Sequence, residues 1–157
     1  MDTRISNEIT IHLNRDIQVE DIIKFLKSDT NFYTFVQMLK LTRLIDKLYE
    51  SGPFTVLAPN NDAFGVIPHE KLDDLLHHSN SMKEVLNYHI IPGVFDSKQL
   101  IKISTLNTLL DQEIQVKYAD GLIINKARVI KSDIIASNGI IHIIDRVLKP
   151  PEILAAV

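Results

Sequence analysis

Residues 140–147 read Ile-Ile-His-Ile-Ile-Asp-Arg-Val, an apolar run broken only at His142 and at the pair Asp145-Arg146. A strand with one solvated face alternates polar and apolar side chains, so a run of this kind reads as a strand buried on both faces. Asn138-Gly139 supplies a turn signal just before it, and Pro150 a breaker just after. The fold must therefore cover this strand on either side.

The remainder of the 157 residues offers that cover in two forms. From Val19 onward the apolar period is helical: Val19, Ile22, Ile23 and Leu26, then Phe32, Phe35, Val36 and Leu39, then Leu41, Leu44, Ile45 and Leu48. Each set places a stripe along one helical face. Ser51-Gly52-Pro53 stops the third helix, since Gly accepts the left-handed terminal position and Pro cannot extend a helix. Phe54–Pro59 reads as a strand, and Asn60 can cap the short helix that follows, with Asp62 in its first turn. Two further amphipathic helices carry Leu72, Leu75 and Leu76, then Met82, Val85 and Leu86, before Pro92-Gly93 closes that half.

Beyond Gly93 the period shortens to two. Ile114, Val116 and Tyr118 alternate with polar residues, Asp120-Gly121 predicts a hairpin turn, and residues 122–130 form the return strand. Helices first and strands second is the α+β arrangement. Residues 17–151 read as one domain, the number that this length suggests, and residues 152–157 as a tail. In residues 1–16, Ile9, Ile11 and Leu13 alternate with polar neighbours, which fits either an added edge strand or an arm.

Composition narrows the function classes. The chain has no Cys, which excludes disulfides, thiolate zinc sites and Cys nucleophiles within it. A formal charge of −3 without a Lys/Arg cluster argues against nucleic acid as a partner. No run approaches the ~20 apolar residues of a membrane helix, and residues 1–16 lack the apolar stretch of a signal peptide. The five glycines stand singly, so there is no phosphate loop, and neither a G-x-S-x-G elbow nor an H-E-x-x-H pair occurs. The expectation is no catalytic residue, no metal and no cofactor.

His77 and His78 each stand four residues after a carboxylate, Asp73 and Asp74. Such spacing lets two side chains share a cation, but neighbouring positions on a helix point about 100° apart and no third ligand is evident. A solvated helix end is the default reading. His142 within its apolar run reads as a satisfied interior or edge histidine.

Three stretches together resemble the fasciclin domain family. They are Phe54-Thr55-Val56-Leu57-Ala58-Pro59-Asn60-Asn61-Asp62-Ala63-Phe64, the dipeptide Tyr88-His89, and Asn138-Gly139-Ile140-Ile141-His142-Ile143-Ile144-Asp145-Arg146-Val147-Leu148-Lys149-Pro150. Order and spacing also fit, and the resemblance spans residues 19–150. Asn60 stands where the family more often has Thr or Ser, an exchange between comparable helix caps.

The resemblance implies a wedge-shaped β-sandwich with helices packed along one side. Thr55, Asn60, Asp62, Phe64, His89, Asn138, Gly139, His142 and Asp145 would be its structural signature. It implies a non-enzymatic adhesion or interaction module at the cell surface, in the periplasm or outside the cell, acting as a monomer on a cell-surface or matrix protein. The alternatives are a carbohydrate-binding module, with a polysaccharide as partner, and a cytoplasmic location. Extracellular placement would rest on an export or anchor segment outside this sequence. In animal members, an Asp-Ile pair in the region of Asp133-Ile134 and the Tyr-His segment have been proposed as integrin-binding determinants, which makes Tyr88, His89, Asp133 and Ile134 the candidate partner-binding residues. Their competing reading is structural: Asp133 organising a turn, Ile134 packing, and Tyr88 and His89 in the core. The resemblance also suggests that His89 meets the hydroxyl of Thr55.

Overall fold

The computed structural model describes residues 20–50 and 52–151. The expectations for residues 1–16 and 152–157, and Val19 in the first stripe, lie outside them. Asp21 opens helix α1 (Ile22–Ser28) by accepting the Lys24 N–H at 2.7 Å, and Ile22, Ile23 and Leu26 are buried. A 3-10 turn (Thr30–Phe32) leads to α2 (Tyr33–Leu41), which buries Phe35, Val36, Met38 and Leu39. Helix α3 (Leu44–Glu50) buries Leu44 and Leu48.

Leu41 departs from the expected third stripe: it closes α2 and is 66% exposed. The helix breaks after it because Thr42 Oγ1 donates back to Met38 O at 2.8 Å and Arg43 takes a left-handed φ of 63°. Leu44 thus starts on a new axis, and spacing counted through the break has no meaning.

Strand β1 (Phe54–Pro59) is buried throughout. It is followed by α4 (Asn61–Gly65), α5 (His69–His77) and α6 (Ser79–Asn87). Helix α5 buries nothing completely: Leu72 and Leu75 lean on the core, and Leu76 is exposed. The remaining elements are β2 (Ile90–Pro92), α7 (Ser97–Ile101), β3 (Thr105–Asn107), β4 (Glu113–Tyr118), β5 (Leu122–Ile124), β6 (Ala127–Ala136) and β7 (Gly139–Ile144).

The seven strands form one mixed sheet in the order β2-β1-β7-β6-β5-β4-β3. Strand β7 runs parallel to β1 and antiparallel to β6, so it lies inside the sheet, as its apolar run predicts. Gly139 is required where it starts. A Cβ there would stand 1.9 Å from the Phe54 carbonyl oxygen, so any side chain would push β7 off β1.

Alternation along the central strands divides the interior in two. Phe54, Val56, Ala58, Ala136 and Ile141 join the helices in one core. Leu57 and Ile144 point the other way, onto Ile114 and Val116 of β4, Leu122 and Ile124 of β5, and Leu100 of α7. The sheet is thus folded back on itself with helices along one outer face, the α+β architecture expected of the chain.

Two strand expectations are corrected. Tyr118 ends β4 exposed, so the buried alternation stops at Val116. The single return strand over residues 122–130 is two strands, β5 and β6, because Asn125 turns the chain with a left-handed φ of 54°. Asp120 and Gly121 do form the predicted turn, at φ of 54° and 121°.

Candidate functional site

Asp133 and Ile134 sit where β6 loses register with β7, which it does between Lys131 and Ile134. A bulge of this kind frees one residue from the ladder and re-aims its side chain. Asp133 is the re-aimed residue, at a left-handed φ of 62°. Its N–H donates to Nδ1 of His142 at 3.2 Å, and its carboxylate accepts the Ser97 N–H at 2.8 Å together with a short bond from the Ser97 hydroxyl. Partial desolvation pushes the Asp133 pKa upward, yet the Ser97 bonds outweigh it and hold the carboxyl below its ordinary value. Asp133 is therefore an exposed, ionised and oriented group. Ile134 turns inward and packs against the helix-side core.

His142 is fully buried on the opposite face of β7 from Ile141. Because Nδ1 accepts from Asp133, the proton resides on Nε2, which donates to the Phe95 carbonyl at 2.8 Å. Desolvation lowers its pKa against the opposing pull of the Phe95 bond and of Asp133 and Asp96. Thr55, on neighbouring β1, grips the same loop: its hydroxyl donates to Gly93 O at 2.8 Å and accepts the Phe95 N–H at 2.9 Å. Asp96 then caps α7 in a reciprocal box with Gln99. Thr55, His142 and Asp133 thus converge on residues 93–97. Sequence reasoning missed Ser97 and α7, although Asp96 followed three residues later by Gln99 is the spacing of a capping box.

Tyr88 and His89 are elsewhere and inside. They are 2% and 1% exposed, so the structure closes both side chains to a docking partner. Tyr88 OH donates to Glu113 O at 2.8 Å and accepts from Asn125 Nδ2 at 3.1 Å. His89 does not meet Thr55, contrary to the expectation: that hydroxyl donates to Gly93 O and accepts from the Phe95 N–H. Instead the His89 Nδ1–H donates to Val85 O at 2.7 Å, and Nε2 accepts the Leu148 N–H at 2.9 Å. Burial pushes its pKa down to about 4, against the Val85 bond, so the ring is neutral near pH 7.

The other signature positions hold elements together. Asn60 caps α4 by accepting the Ala63 N–H at 2.9 Å, with Asp62 exposed in the first turn and Phe64 buried. Asn138 clamps the β6–β7 turn to the helices: Oδ1 accepts the Ile22 N–H at 2.9 Å, and Nδ2 donates to Leu48 O at 2.7 Å. Asp145 accepts the Arg128 N–H at 2.8 Å. The expected Asp73–His77 and Asp74–His78 pairs meet through backbone oxygens rather than carboxylates, at 2.7 and 2.6 Å. Among the described residues, no three His, Asp or Glu side chains are grouped to hold a metal ion.

Comparison with known proteins adds kinship to this geometry. Residues 30–150 match the family model of the fasciclin domain. The chain is 38% identical over 133 residues to protein sll1483 of Synechocystis sp., covering 83% of this chain and 73% of that protein. It is 32% identical over 148 residues to human periostin, covering 90% of this chain and 18% of periostin. The fold is similar to a solved domain pair from the insect cell adhesion molecule Fasciclin I, with a TM-score of 0.74 at 24% identity, over 85% of this chain and 52% of that one.

Proposed function

The chain belongs to the fasciclin domain family, and on that premise we propose that it is a non-enzymatic adhesion module that binds a protein partner outside the cytoplasm through the surface around Asp133. The observation that carries this reading is the fixed presentation of Asp133, an ionised carboxylate held outward from a bulge by Ser97 and His142. Exposed apolar groups accompany it. Ile135, two positions on, is 71% exposed, and Val94, in the loop gripped by Thr55 and His142, is 44% exposed. An oriented charge beside exposed aliphatic side chains offers a partner one fixed polar contact and apolar surface to bury.

The same geometry speaks against hydrolysis. Ser97, Asp133 and His142 are neighbours, but the hydroxyl donates to the carboxylate and not to the imidazole. Both ring nitrogens of His142 are occupied by backbone groups, so no base is aimed at the serine. Tyr88 and His89 support the fold from within, which leaves partner contact to Asp133 and its apolar neighbours.

The test is retention of a panel of cell-surface and matrix proteins on immobilised domain. Asp133→Asn and Ile135→Lys, each checked for an unchanged circular dichroism spectrum, should abolish retention of the bound partner, whereas Gln37→Ala on α2 should not. Equal retention by folded Asp133→Asn and Ile135→Lys would sink the proposal.

A further inference from the structure

A cleft of about 330 Å³ opens where β3, β4 and the β5–β6 turn meet, lined by Ser104, Thr105, Gln115, Val116, Lys117 and Asn125. We propose that it binds a single acidic sugar residue, a ring of hydroxyls bearing one carboxylate, independently of the Asp133 surface.

The walls are held by backbone pairing and by the side chain of Asn125. Thr105 pairs with Gln115 across β3 and β4, and the Val116 N–H donates to Ser104 O at 2.8 Å. Asn125 closes the third side: its N–H donates to Gln115 O at 2.8 Å, and its Oδ1 accepts the Gln115 N–H at 2.8 Å. One hydrogen of its Nδ2 donates to Tyr88 OH at 3.1 Å, and that hydroxyl is itself fixed on Glu113 O. The buried tyrosine therefore positions a wall it does not form. Among the described residues, the hydroxyls of Ser104 and Thr105, the Gln115 amide and the Lys117 ammonium have no protein partner.

Those four groups select a ligand chemistry. Two hydroxyls and a primary amide donate and accept, which suits a polyol, and the ammonium requires an anion. Among the described residues no carboxylate lines the cleft to satisfy Lys117 from within. The volume is near the lower end of small-ligand sites, about 300 Å³, which fits one ring and not a folded partner. Among the described residues no aromatic side chain lines it, so affinity comes from hydrogen bonds and charge rather than from stacking.

The experiment is a nitrogen-15 amide-shift titration of the whole chain with glucuronate, glucose and acetate. Glucuronate should give saturable shifts centred on residues 104–105, 115–117 and 125. Glucose, which lacks the carboxylate, and acetate, which lacks the hydroxyls, should each bind about tenfold more weakly. Lys117→Gln, at an exposed position, should bring glucuronate down to the level of glucose, and Gln115→Ala should weaken both sugars. Acetate binding as well as glucuronate would reduce the site to a lone lysine and overturn the proposal. So would glucuronate shifts that fail to saturate, or that centre on other residues.

Discussion

His89 Nε2 accepts the backbone N–H of Leu148 at 2.9 Å, joining the end of α6 to the chain just beyond β7. The bond exists only while the ring is neutral, because a second ring proton would face the Leu148 amide hydrogen.

Stability should therefore fall with acid. The folded pKa of about 4 lies below the unfolded 6.5, so the unfolded chain binds the extra proton in between. The contribution is complete above pH 6.5 and is lost as pH falls toward 4, by about 3 kcal/mol in all. The lowered pKa of His142 adds in the same direction. Urea denaturation at half-unit steps from pH 7.5 to 4 measures the slope, and His89→Ala should flatten most of it. An unchanged slope in that variant would place the proton elsewhere.

Thr55 and His89 share no partner, so their substitutions should add. Thr55→Val strands Gly93 O and Phe95 N, and His89→Ala strands Val85 O and Leu148 N. Each should cost about 1–3 kcal/mol. The double variant should equal the sum within about 0.5 kcal/mol. A larger coupling at neutral pH would mean that the two sites communicate through β1.

The β1–β7 seam should tolerate neither bulk nor charge. Gly139→Ala sets a methyl 1.9 Å from Phe54 O and should cost more than about 3 kcal/mol. Ile141→Asp puts a carboxylate into a fully buried position with no partner, at several kcal/mol. Both variants should give little soluble folded protein, and a melting temperature within two or three degrees of the parent would refute the assignment of β7 as central.

Ser97→Ala should loosen Asp133, leaving it the backbone N–H of that position. Losing the hydroxyl bond costs about 1 kcal/mol near neutral pH and raises the Asp133 pKa toward its ordinary value. The folded pKa is depressed, so this contribution is present above the unfolded carboxylate range and vanishes as pH falls through the folded value. Carboxyl carbon shifts followed from pH 7 to 2 report the change directly.

Local physics made much of this molecule readable. The apolar run marked β7, the cap at Asn60 marked α4, and the Asp120-Gly121 turn marked the β4–β5 hairpin, each within a few residues of chain. The break at Arg43 and the turn at Asn125 carry no glycine or proline. The left-handed φ at Arg43 is one that only context stabilises, whereas Asn adopts it readily, but an isolated Asn does not announce a turn. The partners of His89 and His142 were illegible for another reason. Leu148 lies 59 residues from His89, and Phe95 lies 47 from His142, so nothing local could name them. Asp133 was legible as a residue of interest, but its support by Ser97 required the folded bulge.

Asn138 reaches back 116 residues to Ile22 and 90 residues to Leu48. The strand it introduces is the one around which the sheet is ordered. On a ribosome, the helices and β1 would emerge first and wait with their apolar faces open until almost the last residues of the domain arrived. Closing such distant contacts is entropically slow, and exposed apolar surface invites misassociation meanwhile. Shortening the chain before residue 144 should therefore yield an aggregating species rather than a smaller folded one.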